Sequence, residues 1–372
     1  MPSIAVTGLS VASCIGNELE TLSAAHRARL SGLSRTHRFQ ELFAHIPLGE
    51  VPAAVFADES EFLGVYDCHL MRMVSGSLRK ALRATGLLER YSADAIGVFV
   101  GSTTGGIERL EHRLHEAFAG RVPWDLSEIL DAGTHNGAIK YALRGAFPLR
   151  GPMYVLSTAC SSGALAIKEA CEAVATGLVR AAVAGGFDVL APMTIAGFDS
   201  MQILDHEVCQ PLSGLGRGLN LGEGGAWIVL EAAPTPGSVR AWLVGAGASS
   251  DAHHMTQPDP EGRGMGAAMG EALANANLQP TAIGYINAHG TGTKMNDTAE
   301  TAAIKRLFGP DAPFESTKGL HGHTLAGAGA LEAATTILAL ERGVARSPYA
   351  ISNSFGFGGA NVSLVFRRGG DQ

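Results

Sequence analysis

The chain has 372 residues, enough for two domains of ordinary size or one large unit built in two halves. Hydrophobic residues make up 46 % of it and charged residues 17 %, which excludes a disordered chain and a coiled coil. Its 28 lysines and arginines against 35 aspartates and glutamates leave a net charge of −7 with no basic run, so neither nucleic acid nor anionic lipid is an expected partner.

From the N-terminus, MPSIAVTGLSVASCIGN lacks a basic region, and its apolar run is broken by Gly8 and Ser10, so it reads as a first strand and not as a signal peptide. Further short β-branched runs follow at 96–100, 153–156, 181–184, 228–230, 239–244, 283–286 and 362–366, separated by alanine-rich helical stretches. This alternation predicts an α/β fold. The most apolar stretch, 181–198, contains Gly185, Gly186, Asp188 and Pro192 and makes a poor membrane span. Cysteines 14, 68, 160, 171 and 209 are odd in number and form no Cys-x-x-Cys pair, which argues against disulfides and zinc and for a reducing, cytoplasmic setting.

The chain also echoes itself. Residues 81–106 and 271–293 both run helix, loop, Ala-Ile-Gly, strand and Gly/Thr loop, and 155–174 matches 314–338 from a strand end through Ser-Thr into a small-residue helix. A third match pairs 181–190 with 353–366 through a Gly-Gly turn beside a strand. Two related halves are expected, 1–235 with the nucleophile and 236–372 with two histidines, joined at Pro234-Thr235-Pro236-Gly237. Duplicated crossover units need helices on both sheet faces, which predicts five layers, α/β/α/β/α, with the middle helices apolar all round.

The chemistry is expected at strand ends. Cys160, in Ser157-Thr158-Ala159-Cys160-Ser161-Ser162-Gly163, lies on a strand-to-helix turn where the helix N-terminus favours a thiolate, and its small polar flanks admit a substrate. The other four cysteines read as small buried hydrophobes. His289, in Asn287-Ala288-His289-Gly290-Thr291-Gly292-Thr293, and His323, in Ser316-Thr317-Lys318-Gly319-Leu320-His321-Gly322-His323, each close a predicted strand-end loop. His26, His37, His45, His69, His112, His115, His135 and His206 read as ordinary solvated or core residues, and zinc on His321 and His323 lacks a third ligand of suitable local spacing. One cysteine with two strand-end histidines points to acyl transfer.

The stretches STACSSG, NAHGTGTKMNDTAE, STKGLHGHTLAGAG and NSFGFGGANVSLVF, in this order, resemble the elongating β-ketoacyl-acyl carrier protein synthases of the thiolase fold. Val6-Thr7-Gly8-Leu9, Gly101 to Gly106, Ala184-Gly185-Gly186, Gly222-Glu223-Gly224 and Ser250 to His254 extend the likeness over nearly the whole chain. The resemblance implies a decarboxylating Claisen condensation that lengthens an acyl chain by two carbons, on substrates carried by the phosphopantetheine arm of acyl carrier protein, with no other cofactor and no required metal. Cys160 would carry the acyl group, His289 and His323 would stabilise the enolate, and Lys318 and Glu332 would order the site. The backbone N–H groups of Cys160 and Phe357 would form the oxyanion hole, with Phe357 as a gate between glycines. Thr291 and Thr293 would touch the pantetheine arm, Asp297 and Glu300 would support the site, and Asn287, Glu332, Ser352 and Asn353 match a structural cation site of some relatives. A homodimer, or a heterodimer with a ketosynthase-like chain-length factor, is implied as well.

The sequence departs from the family in places. Leu212 to Leu221 replaces the usual Arg-Asp-Gly-Phe stretch, His321 stands where threonine is common, and Ala360 replaces a threonine. The chain is also shorter than most relatives, with the difference expected between Gly101 and Gly151. These features resemble the compact ketosynthases of aryl polyene and related pathways more than housekeeping fatty acid enzymes. A non-catalytic chain-length partner, which usually lacks the nucleophile, and a thiolase or starter-unit synthase are the alternatives; Cys160 speaks against the first and His323 against the second.

Overall fold

The computed structural model describes residues 2–125 and 136–370. His135 and part of the stretch expected to be shortened lie outside them. Among the described residues ten strands are hydrogen-bonded in one run: β1 (Ile4–Ala12), β2 (Ile96–Gly101), β3 (Met153–Leu156), β4 (Ala181–Asp188), β5 (Gly224–Glu231), β6 (Ala241–Ser250), β7 (Ile283–Asn287), β8 (Phe314–Glu315), β9 (Tyr349–Phe355) and β10 (Ala360–Arg368). Their order is β3-β2-β4-β5-β1-β6-β10-β9-β7-β8. Read outward from the β1/β6 contact, both sides follow one sequence: first strand, fifth, fourth, second, third. This symmetry is the duplication that the internal echoes predict.

The layers follow from burial. Every residue of β1, β4 and β5 is buried, so these strands are covered on both faces and read as continuous apolar or small runs without alternation. Helix α1 (His69–Thr85) packs on β1 and β5, and α2 (Ala138–Ala146) lies beside it on the same outer face. On the far side, α4 (Arg263–Ala276) covers β6 and β10, with α5 (Lys294–Phe308) against α4. Between the sheets lie α3 (Ser162–Ala175) and α6 (Ala328–Glu341), which touch each other and strands of both halves. Thirteen of the fourteen residues of α6 are buried, the signature of a helix with no solvent face. Gly163 permits the crossing, since a Cβ there would stand 2.6 Å from the Ala326 carbonyl.

The two sheets of this layered arrangement are joined at a seam, where Ile4, Ala5 and Val6 pair antiparallel with Leu243, Trp242 and Ala241. One expectation needs correction. The third internal match is misplaced, because Gly185 and Gly186 lie inside β4 and not in a turn. The cause is close backbone contact, for a Cβ on Gly185 would fall 1.9 Å from the Ala226 carbonyl. By position in the sheet, β4 corresponds to β9. Among the described residues no helix is long and apolar enough to cross a membrane.

Candidate active site

Cys160 sits between β3 and α3 on a turn made by Ala159, whose φ of +52° is costly for a residue with a Cβ. Three hydrogen bonds hold it there: Ser161 Oγ donates to the Thr158 carbonyl (2.8 Å), Ser162 Oγ to the Ala159 carbonyl (2.6 Å), and the Thr158 N–H to Ser162 Oγ (2.8 Å). The small polar flanks therefore lock the turn. Burial opposes the thiolate that the helix N-terminus favours. Burial pushes the Cys160 thiol up to about 11, outweighing the nearby Lys318 charge and a hydrogen bond from the Phe357 N–H. The turn aims the sulfur; it does not ionise it.

Cys160 Sγ and one ring nitrogen each of His289 and His323 lie within 4.8 Å of one another. The two imidazoles meet edge to face, 5.2 Å between centroids. Their tautomers follow from their partners. The Leu325 N–H donates to His323 Nδ1 (3.1 Å), and the Lys318 ammonium, which can only donate, lies 3.2 Å from His289 Nδ1. Each ring is left with its proton on Nε2. Burial, followed by the Lys318 charge, holds both histidines well below the usual imidazole range, so both are neutral donors.

Lys318 is fully buried and ion-paired with Glu332, while its Nζ also donates to the His289 carbonyl. Burial pushes the Glu332 carboxyl up to about 7, against the pull of Lys318. Glu300 accepts from the His289 and Gly290 N–H groups, both at 2.7 Å, and is likewise raised by burial to about 7. Asp297 accepts from the Gly292 N–H (3.1 Å) and the Leu212 N–H (2.7 Å). The i, i+3 acids on α5 thus clamp the loop that carries His289. Thr291 and Thr293, whose hydroxyls are 2.9 Å apart, line the same cavity of about 290 Å³ as Cys160 and both histidines. Phe357 lines it too, half-buried and stacked on Phe198 (6.0 Å, 15°), followed by Gly358 and Gly359 at φ +81° and +78°.

Asn287 and Ser352 are register partners on β7 and β9. Asn287 Oδ1, Glu332 Oε2 and Ser352 Oγ are buried oxygens without a hydrogen-bond partner, a donor set that suits a hard cation. Asn353 differs, because its Oδ1 accepts from Ser363 Oγ (2.8 Å).

Residues 1–235 match the family model of the β-ketoacyl synthase N-terminal domain, and residues 240–349 that of the C-terminal domain. The chain belongs to the β-ketoacyl synthase family. It is 33 % identical to the 3-oxoacyl-[acyl-carrier-protein] synthase 2 of Vibrio harveyi, over 98 % of both chains. Among solved structures it resembles the ketosynthase ApeO in complex with its chain length factor ApeC from Xenorhabdus doucetiae (TM-score 0.85, 29 % identity, 98 % of both chains). It also resembles the ishigamide ketosynthase/chain length factor (TM-score 0.89, 26 % identity, 99 % of both chains).

In this ketosynthase the departures at Leu212–Leu221 leave a working support. Arg217 pairs with Asp205 (3.0 Å), Asn220 accepts from the Cys209 N–H (2.8 Å), and the His323 N–H donates to the Asn220 carbonyl (2.7 Å). That segment backs His323 directly. His321 does not line the cavity; its Nδ1 donates to the Gly322 carbonyl and its Nε2 accepts from Thr317 Oγ1, and burial pushes it down to about 3.

Two buried acids escaped sequence reasoning. Asp188, at the end of β4, accepts from Ser102 Oγ (2.8 Å), the Thr103 and Thr104 N–H groups (2.9 Å each), Thr104 Oγ1 (2.8 Å) and the Ala326 N–H (2.9 Å). It ties the turn after His323 to the loop after β2. Glu223 accepts from Arg38, His69 Nε2 (2.9 Å) and the Val51 and Leu190 N–H groups (3.0 Å each). Its glycine flanks were the available signal: a Cβ on Gly222 would stand 2.1 Å from the His321 carbonyl.

A pH dependence follows for Glu223. Arg38 and His69 hold it down to about 2 despite burial, against about 4.5 for an exposed glutamate. Between these values the unfolded chain binds more protons, so this stabilisation is full above about pH 4.5 and is lost as pH falls towards 2. The loss is worth about 3 kcal/mol. Denaturant titrations from pH 5 to 2.5 should show a steeper fall for wild type than for Glu223→Gln; equal slopes would contradict this account.

Proposed function

We propose that the protein extends an acyl chain held on Cys160 by decarboxylative condensation with a malonyl thioester on acyl carrier protein, acting in the cytoplasm. The observation that carries this reading is the pairing of one aimed thiol with two neutral Nε2–H donors. In the first half-reaction the sulfur attacks the carrier thioester, the acyl group moves to Cys160, and the thiol proton leaves with the carrier sulfur. In the second, the malonyl C–C bond breaks, CO₂ departs, and the electron pair forms an enolate whose oxygen receives hydrogen bonds from His289 and His323. The enolate carbon attacks the Cys160 thioester, the N–H groups of Cys160 and Phe357 receive the oxyanion, and collapse returns the sulfur as thiolate to be reprotonated.

In this reading Lys318 holds His289 through Nδ1, Glu332 balances Lys318, and Asp297 and Glu300 fix the loop whose Thr291 and Thr293 meet the pantetheine arm. A cation on Asn287, Glu332 and Ser352 would serve structure only. The boundary between the halves is placed at 235/236, in the connection from β5 to β6. The free edge of β3, where Tyr154 is exposed, is the face on which a second subunit pairs. The complexes formed by the two solved relatives favour a chain-length factor as that subunit. Intact-mass analysis of products made from acyl- and malonyl-carrier proteins, with and without a co-purifying subunit, tests the whole reading. Absence of any two-carbon extension in either case would overturn it.

Phe357→Ala removes the side chain and keeps the backbone donor. Condensation should persist at a reduced rate with weaker discrimination among acyl chains, and the melting temperature should change little, because the ring is half-buried. A core phenylalanine would instead cost about 3–5 kcal/mol. A large loss of stability with unchanged selectivity would make Phe357 packing and not a gate.

A further inference from the structure

Away from the cavity, a second group of metal-ligating side chains comes together from distant parts of the chain. His45 and His206, which local spacing left as ordinary histidines, and Asp199 each offer one ligand atom, and the three atoms lie within 4.8 Å of one another. The histidine rings meet edge to face at 5.1 Å. Among the described residues no hydrogen bond engages either ring or the Asp199 carboxylate, although both histidines are exposed and Asp199 is half-buried. Arg35, a neighbouring cation, is occupied by the His206 carbonyl (2.5 Å) and the Glu207 carboxylate (3.0 Å).

We propose that His45, Asp199 and His206 form a binding site for a divalent transition-metal ion of the zinc type, and that the bound ion staples one wall of the substrate cavity. Two imidazoles and a carboxylate are a normal zinc donor set, with water completing four-coordination. Tetrahedral ligation at about 2.0–2.1 Å asks the donor atoms to approach to roughly 3.4 Å, a short rotamer adjustment for surface side chains. The position gives the ion a role. Asp199 stands in the last turn of the helix Pro192–Ser200, directly after Phe198, and between Asp199 and His206 lie Met201 and Ile203, which line the cavity. The ion ties this segment to His45, beside the buried Ile46. Phe198 is the ring on which Phe357 stacks, so the staple also limits how far the proposed gate can swing.

The site is tested in tag-free protein carrying Cys160→Ala, which disables the Cys160/His289/His323 cluster as a competing zinc trap. Zinc titrated against a chromophoric chelator should bind one ion per chain. His45→Ala and His206→Ala should each weaken it at least about tenfold, since even loss of an outer-shell partner costs that much. Hydrogen–deuterium exchange should slow in residues 192–206 on adding zinc, and not when His206→Ala is also present. Unchanged zinc affinity in the double variant His45→Ala/His206→Ala, or no protection in 192–206, would overturn the proposal. The gating role rests on the ketosynthase reading, and a separate assay separates the two. With Cys160 intact, zinc should slow condensation less in His206→Ala than in wild type; equal inhibition would place the effect at Cys160 and sink the staple. If zinc-free protein makes no condensation product while the binding results stand, the failure belongs to the proposed function.

Discussion

Cys160→Ala is expected to abolish acyl loading and condensation while leaving the melting temperature close to wild type. The fold should tolerate it because the hydrogen bonds that shape the turn come from Thr158, Ser161 and Ser162, and a small side chain replaces a small one. Mass spectrometry of protein exposed to acyl-carrier protein decides the matter, since the acyl group should be found on Cys160 alone. Ionisation does not single this cysteine out. Burial also raises Cys14 and Cys171 to about 12 and Cys209 to about 11. What distinguishes Cys160 is its place on the cavity beside both histidines. An acyl adduct on any of the other cysteines would refute that argument.

His289→Ala and His323→Ala should each lower decarboxylation of malonyl-carrier protein by roughly two to three powers of ten, the usual effect of losing one donor to a developing oxyanion. Self-acylation of Cys160 should survive His289→Ala better than condensation does, because that step forms no enolate. The His289 variant should also lose stability, as Lys318 keeps its buried charge and loses a ring partner. Single-turnover rates for the two half-reactions, measured beside thermal melts, separate chemistry from stability. Equal and mild losses in both half-reactions would make the histidines structural.

Much of the architecture was legible in the sequence because the duplication repeats loop chemistry as well as strand pattern. Helix α6 was recognisable as central from its lack of a polar face, whereas α3, also expected to be apolar all round, turns Lys168, Glu169 and Glu172 outward, where Lys168 pairs with both acids. Strand β9 was harder to find: its Ser352, Asn353 and Ser354 are all buried, so it lacks the apolar run that marks a strand. The site followed the same division. Cys160, His289, His323 and Lys318 stand in distinctive local motifs, whereas Asp188 acts through partners 84 to 138 residues away and has no local signature. The upward push on the Cys160 thiol has no sequence signal, because a helix N-terminus is visible in sequence and the depth of burial is not. The cluster of His45, Asp199 and His206 was hidden for a similar reason, since its members meet only in three dimensions.

The seam between the sheets has a consequence for the newly made chain. The nucleophile is synthesised with the first half, but both histidines emerge only after the second half has begun, 129 and 163 residues later. They meet the sulfur only when α6 settles against α3 and the β1/β6 pairing closes. A ribosome-bound or half-folded chain therefore lacks both enolate donors and cannot use them to decarboxylate a malonyl group. Completion of the fold and onset of that chemistry are one event.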